Sequence, residues 1–187
     1  MSRTVPVSRW ILFLSVALAG AAFDLGTKKL VFSKMTRGEI KPLIDNFLEI
    51  QLTHNTGALW GLGGNVPNSS LIFAGLSIVA ALAILYWLFV RGAARDFWLT
   101  LALSLVMAGA IGNCYDRLVF GYVRDFVHFH VDPVFDCAIF NFADNMLVVG
   151  AVLLMILAFR PDTTEEREKA AGAGATDAHG PTPAVES

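Results

Sequence analysis

Four stretches of the chain stay apolar for about 20 residues at a time. That is the length at which an α-helix crosses a bilayer core with every backbone N–H and C=O bonded inside its own segment. They cover about residues 10–31, 71–90, 97–115 and 140–159. The second carries no charge; the first is interrupted late by Asp24, Lys28 and Lys29, and the fourth has Asp144 near its start. The pattern predicts an all-α membrane protein with four transmembrane helices. Between the first two, residues 38–66 hold Gly, Pro and Asn around the alternating run FLEIQL at 47–52, which predicts a small strand-rich extramembrane element. The link between the second and third stretches is very short and contains Arg91 and Arg95, which fits a cytoplasmic hairpin, but the positive residues are equal in number on the two sides and leave the orientation undecided.

The first stretch has a second reading as a cleaved signal peptide, because Arg3 and Arg9 precede an apolar core and Ala19, Gly20 and Ala21 resemble a cleavage site. Apolar residues continue through Leu25, Leu30 and Val31, so the segment is long enough to span. After Arg160 the chain turns to Ala, Gly, Thr, Pro and Glu, a composition that cannot bury enough surface to offset its ordering entropy. Residues 1–159 are therefore expected to form one membrane domain and residues 160–187 a disordered tail, with His179 incidental.

Composition agrees with the pattern. The 187 residues are 55% hydrophobic and 16% charged, with a mean hydropathy of +0.58, too apolar for an ordinary soluble domain. A net charge of -2 without a basic block excludes a nucleic-acid partner. Cys114 and Cys137 lack metal-site spacing and read as small apolar residues, a disulfide between them being the minor alternative.

With four spans alternating in direction, the costly polar groups converge on one membrane face. Asp24 and Lys28 close the first span, Asn55 and Gly57 precede the second, Asn113, Asp116 and Arg117 close the third, and Asn141 and Asp144 open the fourth. A charge at mid-membrane costs about 2.5–3.5 kcal/mol on insertion scales, so such a gathering points to function. Asp24 and Lys28 share a helix face, as do Asn113 and Arg117, and Asn141 and Asp144. Ala108, Gly109 and Gly112 would let the third helix approach a neighbour closely.

Two carboxyls held close cannot both ionise easily, so one keeps its proton and the pair can activate water while protonating a leaving group. Asp125 follows the third span and Asp144 opens the fourth; Asp116 is a competing partner, though its neighbour Arg117 suggests an ion-paired, structural Asp. No H-E-x-x-H occurs, and His128 and His130, two apart, share a face only on a strand. A metal site drawn from His54, His128, His130, Asp132 or Asp136 is a minor reading, and neither metal nor cofactor is expected. Cys114 and Ser104 have no evident base nearby. The rival classes are a proton-coupled carrier or small channel subunit, whose carboxylates should lie at mid-membrane on a through path, and a membrane assembly factor without chemistry.

Five blocks in order carry a resemblance: DLGTK at 24–28, NTGALW at 55–60, AGAIGNCYDR at 108–117, GYVRDF at 121–126 and FNFAD at 140–144. Together they resemble the lipoprotein signal peptidase (signal peptidase II) family over most of residues 10–159. The resemblance implies a monomeric aspartyl endopeptidase of the bacterial inner membrane that cuts prolipoproteins N-terminal to a diacylglyceryl-modified cysteine. It further implies cytoplasmic termini, an outward-facing site, contact with membrane lipid, and inhibition by globomycin-type compounds. By position it assigns the catalytic pair to Asp125 and Asp144. Asn113, Arg117 and Asn141 would order the pair and hold substrate backbone, and Asp24, Lys28, Asn55, Gly57, Gly109 and Ala143 would support the site. Leu25 stands where the family usually has Gln, and Ala108 where a glycine is common. Residues 38–66 are expected as a platform on the membrane and residues 118–139 as a lid.

Overall fold

The structure is a computed structural model and describes residues 4–57, 62–131 and 133–160; the expected tail lies outside the described residues. Its elements run α1 (Val7–Lys34), β1 (Ile40–Ile44), β2 (Leu48–Asn55), α2 (Ser69–Leu85), α3 (Phe97–Phe120), β3 (Val123–Val131), β4 (Phe135–Asp136) and α4 (Phe142–Ala158). A π-helical turn at Tyr86–Val90 extends α2, and a short 3-10 turn at Ala93–Arg95 leads into α3.

Local chemistry sets the ends. Pro6 precedes α1, where a missing N–H costs nothing, and the helix continues unbroken through Ala19–Ala21 to Lys34. Asp96 caps α3 by accepting the Leu99 N–H at 3.1 Å, and Gly121 ends it with φ +80°, a left-handed conformation that a residue without Cβ adopts at little cost.

Among the described residues, three helices are long and apolar enough to cross a membrane: Val7–Lys34, Ser69–Val90 and Phe97–Phe120. The expected fourth span, Phe142–Ala158, is apolar but only 17 residues long, at the lower limit for a bilayer core. Outward positions on the helices carry large apolar side chains, among them Leu14, Leu18, Leu71, Ile72, Val79, Leu82, Val148 and Val152. Water does not favour such a surface and lipid does.

The strand-rich element extends beyond residues 38–66. Its partner comes from the expected lid: the four strands form one antiparallel sheet in the order β1-β2-β3-β4. The pairing steps from Ile50↔Val127 to Thr53↔Asp125, so β2 gains one residue over β3 beside Asp125. Such a bulge twists a strand and re-aims its side chains. Leu52, Phe126 and Val127 are buried against Val31, Phe32, Met35, Phe140 and Phe142, which seats the sheet on the end of α1 and the start of α4. A second apolar cluster, around Phe13, Ala17, Ile84, Leu88, Ala94, Leu103 and Met107, joins α1, α2 and α3 at their other ends.

Contact density divides the chain at Leu154, and the second unit, described only over residues 155–160, is the end of α4 and the bend after it.

Candidate active site

A β-bridge sets the two carboxyl-bearing segments side by side. Phe140 donates to the Val127 carbonyl at 3.0 Å and accepts from the N–H groups of Phe126 and Val127, so the residue after it, Asn141, lies next to β3. Asn141 then opens α4. Its Oδ1 accepts the Asp144 N–H at 3.1 Å, and Asp144 Oδ2 accepts the Asn141 N–H at 3.2 Å. This is a reciprocal capping box, with Asp in the position usually held by Glu or Gln. One carboxyl of the candidate pair therefore also satisfies a helix N-terminus.

The Asn141 side-chain amide points the other way. It donates to Asp125 Oδ1 at 2.6 Å and to Asn113 Oδ1 at 3.2 Å. Asn113 donates to Asp144 Oδ1 at 2.8 Å, and Asn55, at the end of β2, donates to Asp125 Oδ2 at 3.0 Å. Both oxygens of both carboxyls accept a hydrogen bond, and both side chains are buried, Asp125 at 1% exposure. Burial first, and then the nearby Asp144 charge, push Asp125 up to about 7 against the pull of the two Asn amides.

A layer of cations lies behind the pair. Lys28 is fully buried and reaches Asp24 at 2.7 Å, Asp116 at 3.2 Å and Asn113 Oδ1 at 3.0 Å. Asp24 Oδ1 in turn accepts the Ala143 N–H at 2.9 Å, so an α1 carboxylate sits at the positive end of α4. Arg117 donates to the Gly57 carbonyl at 2.7 Å, its guanidinium 5.5 Å above the Phe73 ring, and Gly57 N–H returns to Asn55 Oδ1 at 2.9 Å. Four buried carboxyls, Asp24, Asp116, Asp125 and Asp144, thus meet three buried cations, Lys28, Arg117 and Arg124. With one proton on the Asp125–Asp144 pair the cluster is neutral, the arrangement a low-dielectric site favours.

The sequence-predicted residues Asp24, Lys28, Asn55, Gly57, Asn113, Arg117, Asp125, Asn141, Ala143 and Asp144 are joined in this network, and Gly109 is where it is compressed. A Cβ at Gly109 would strike the Ala143 carbonyl, and one at Gly112 would strike Asp24 Oδ2. Asp116 is held as expected of an ion-paired Asp, but by Lys28 and Arg124 rather than by Arg117. Arg124 Nε and Nη2 grip its Oδ1 at 3.1 and 2.7 Å and the Arg124 N–H reaches Oδ2 at 3.1 Å, whereas Arg117, one residue away, turns to Gly57. Arg124 was legible only as a charge beside Asp125; strand alternation, which sends neighbours to opposite faces, was the signal that would have separated their roles.

His54 stacks on Tyr122 at 3.9 Å between centroids and on Phe32 at 6.0 Å, Asp132 lies outside the described residues, and both cysteines are free, Cys114 Sγ donating to the Ala74 carbonyl at 3.7 Å. Among the described residues, only Glu49, His128 and His130 group their ligand atoms closely enough to hold a metal, and they are not part of the aspartate network.

A cavity of about 300 Å³ opens beside Asp144. Asn55, Asn113, Arg117 and Asp144 form its polar end, and Phe73, Leu76, Val106, Ala110 and Leu147 form its apolar walls.

A family profile described as Signal peptidase (SPase) II matches residues 16–160. A lipoprotein signal peptidase of Rhodopirellula baltica is 37% identical over 170 residues, covering 82% of this chain and 74% of that protein. One from Staphylococcus aureus strain JH9 is 34% identical over 154 residues, covering 82% and 91%. Two solved structures, both described as a bacterial membrane enzyme obtained by the in meso method, are similar over most of the chain. The one at 2.3 Å resolution has a TM-score of 0.72 at 29% identity, covering 84% of this chain and 92% of that one. The one at 1.9 Å has a TM-score of 0.70 at 28% identity, covering 87% and 99%.

Proposed function

The chain belongs to the signal peptidase II family and is a membrane-type aspartic peptidase that cleaves lipoprotein signal peptides; from that premise we propose that Asp125 and Asp144 are its catalytic pair. The observation that carries this is the double use of Asn141, whose amide holds Asp125 while its backbone and side chain hold Asp144. In this reading one carboxyl keeps its proton and the other, ionised, takes a proton from water as the water oxygen attacks the scissile carbonyl. The protonated carboxyl hydrogen-bonds the developing oxyanion, and collapse of the tetrahedral intermediate delivers a proton to the leaving amine. The pair is then restored with one proton.

The other residues take supporting parts. Arg117, anchored on the Gly57 carbonyl, stands at the polar end of the cavity, suited to gripping the peptide backbone, and the apolar walls from α2, α3 and α4 suit the apolar segment that precedes the cleaved bond. Asp24, Lys28 and Ala143 fix the start of α4, Asn55 and Asn113 orient the carboxyls, and Gly109 lets α3 and α4 close on each other.

The substrate in this proposal is a diacylglyceryl-modified prolipoprotein, cut N-terminal to the lipidated cysteine at the outer interface of the inner membrane. Four spans, with α4 as the shortest, leave both termini cytoplasmic and the aspartates outside. A lipid-anchored substrate is confined to the bilayer, so a site at the ends of α1, α3 and α4 meets it without extraction. The enzyme works as a monomer, blocked by globomycin-type compounds.

The test is cleavage of a diacylglyceryl prolipoprotein by the purified chain, with products read by mass spectrometry. Asp125→Asn and Asp144→Asn should each lose processing while retaining insertion. Cleavage retained in either variant overturns the pair.

A further inference from the structure

Outside the aspartate network the sheet carries a cluster that the peptidase reading does not use. Glu49 on β2 lies opposite His128 on β3, and His130 follows on the same face of β3, since strand side chains alternate. One ligand atom from each of the three lies within 4.8 Å of the other two. His128 Nδ1 meets Glu49 Oε1 at 2.8 Å, and its other nitrogen, Nε2, meets Asp136 Oδ1 on β4 at 2.7 Å. The two imidazoles stack with centroids 5.2 Å apart. His130 Nδ1 is buried and has no hydrogen-bond partner.

We propose that Glu49, His128 and His130 form a binding site for a divalent transition-metal ion of the zinc class, with Asp136 as the outer partner that orients His128. An imidazole bound to a metal through one nitrogen characteristically donates its other N–H to a carboxylate, and the His128–Asp136 bond already supplies that arrangement. It directs Nδ1 toward Glu49. Two imidazoles and one carboxylate select zinc, nickel or copper over magnesium or calcium, which prefer all-oxygen sets. Zinc ligands at about 2.0–2.2 Å from the ion stand about 3.4 Å apart in a tetrahedron, so the Glu49–His128 pair must open slightly and the widest pair close, movements within reach of side-chain rotation. A water completes the fourth position.

The competing account is a histidinium clamped between Glu49 and Asp136. It explains His128, but it gives no part to His130, which stacks on His128 and brings a ligand atom to the same group. The metal reading explains both. Bound there, the ion ties β2 to β3 three residues beyond Asp125, and this odd spacing puts it on the opposite strand face from the carboxyl. It would stiffen the strand that presents Asp125 and take no part in the reaction.

The test is titration of ZnCl2 into the full chain, free of any affinity tag, stripped with chelator and held in detergent micelles. One equivalent should bind, with a rise in melting temperature, and Co2+ should give the visible absorption of a four-coordinate site. His130→Gln, which keeps the side-chain volume, and Glu49→Gln should each weaken binding at least tenfold and remove the thermal shift, while their metal-free melting temperatures stay within a few degrees of wild type. His179→Ala should bind as wild type does. Absence of zinc binding in the wild type, or unchanged binding in His130→Gln, overturns the site.

Discussion

The side-chain amide of Asn141 donates to Asp125 at 2.6 Å, and this bond ties the strand that carries one carboxyl to the helix that carries the other. Asn141 also caps α4 through the Asp144 N–H. The two duties separate by substitution. Serine still caps a helix but is too short to hold Asp125, so Asn141→Ser should keep stability within about 1 kcal/mol and lose on the order of 100-fold in kcat/KM, a typical loss for one positioned donor. Asn141→Ala should lose both, with a further cost of about 1 kcal/mol in thermal unfolding. Equal activity in Ser and wild type would detach Asn141 from the chemistry.

The pH profile follows from Asp125. A pair that works with one proton fails when the second carboxyl ionises, and Asp125 stands at about 7, so the basic limb of kcat/KM should fall near neutral pH as a property of the pair. The Asn55 amide favours the ionised form of Asp125. Asn55→Ala removes that help, the proton is held longer, and the basic limb should move to higher pH. The same raised value bears on folding: the contribution of Asp125 is full below its ordinary 3.8 and is lost as pH rises through about 7. Melting temperatures across that window should fall more for wild type than for Asp125→Asn.

Much of this site is legible in the sequence because membrane physics is severe. Asp24, Lys28, Asn113, Asp116 and Asp144 interrupt apolar runs, and alternation of the runs alone brings them to one face. The pairing of β2 with β3 is not legible, since it depends on contacts between residues far apart in sequence and on the bulge beside Asp125. For that reason residues 118–139 read as a lid, whereas 123–131 form an inner strand of the sheet. The Arg124 grip on Asp116 escapes for the same reason: it requires knowing which strand face turns toward α3.

Lys28 tests the ion network apart from the chemistry. Its ammonium serves Asp24, Asp116 and Asn113 at 0% exposure. Removal of one partner from a buried ion pair costs about 3–5 kcal/mol because the other charge is left uncompensated. Lys28→Met should cost at least that much, read as lost melting temperature in detergent. Arg124→Lys, which keeps the charge but cannot grip Oδ1 with two nitrogens, should cost less.

The glycines of α1 and α3 give the sharpest contrast between positions of one residue type. At Gly109 an added Cβ would meet the Ala143 carbonyl and, at 2.7 Å, Leu147 Cγ; the carbonyl is backbone and cannot yield without moving α4. At Gly112 it would meet Asp24 Oδ2, a side-chain atom, but one pinned by Lys28 at 2.7 Å. At Gly26 there is nothing within 4 Å. Gly109→Ala and Gly112→Ala should therefore each destabilise by about 1–3 kcal/mol, the usual range for overpacking, and Gly26→Ala should be near neutral. Activity should fall with stability in Gly109→Ala, because Ala143 lies between Asn141 and Asp144, and a shift of its carbonyl carries both away from Asn113 and Asp125. A Gly109→Ala enzyme with wild-type stability and rate would mean that α3 and α4 do not approach as closely as their small residues allow.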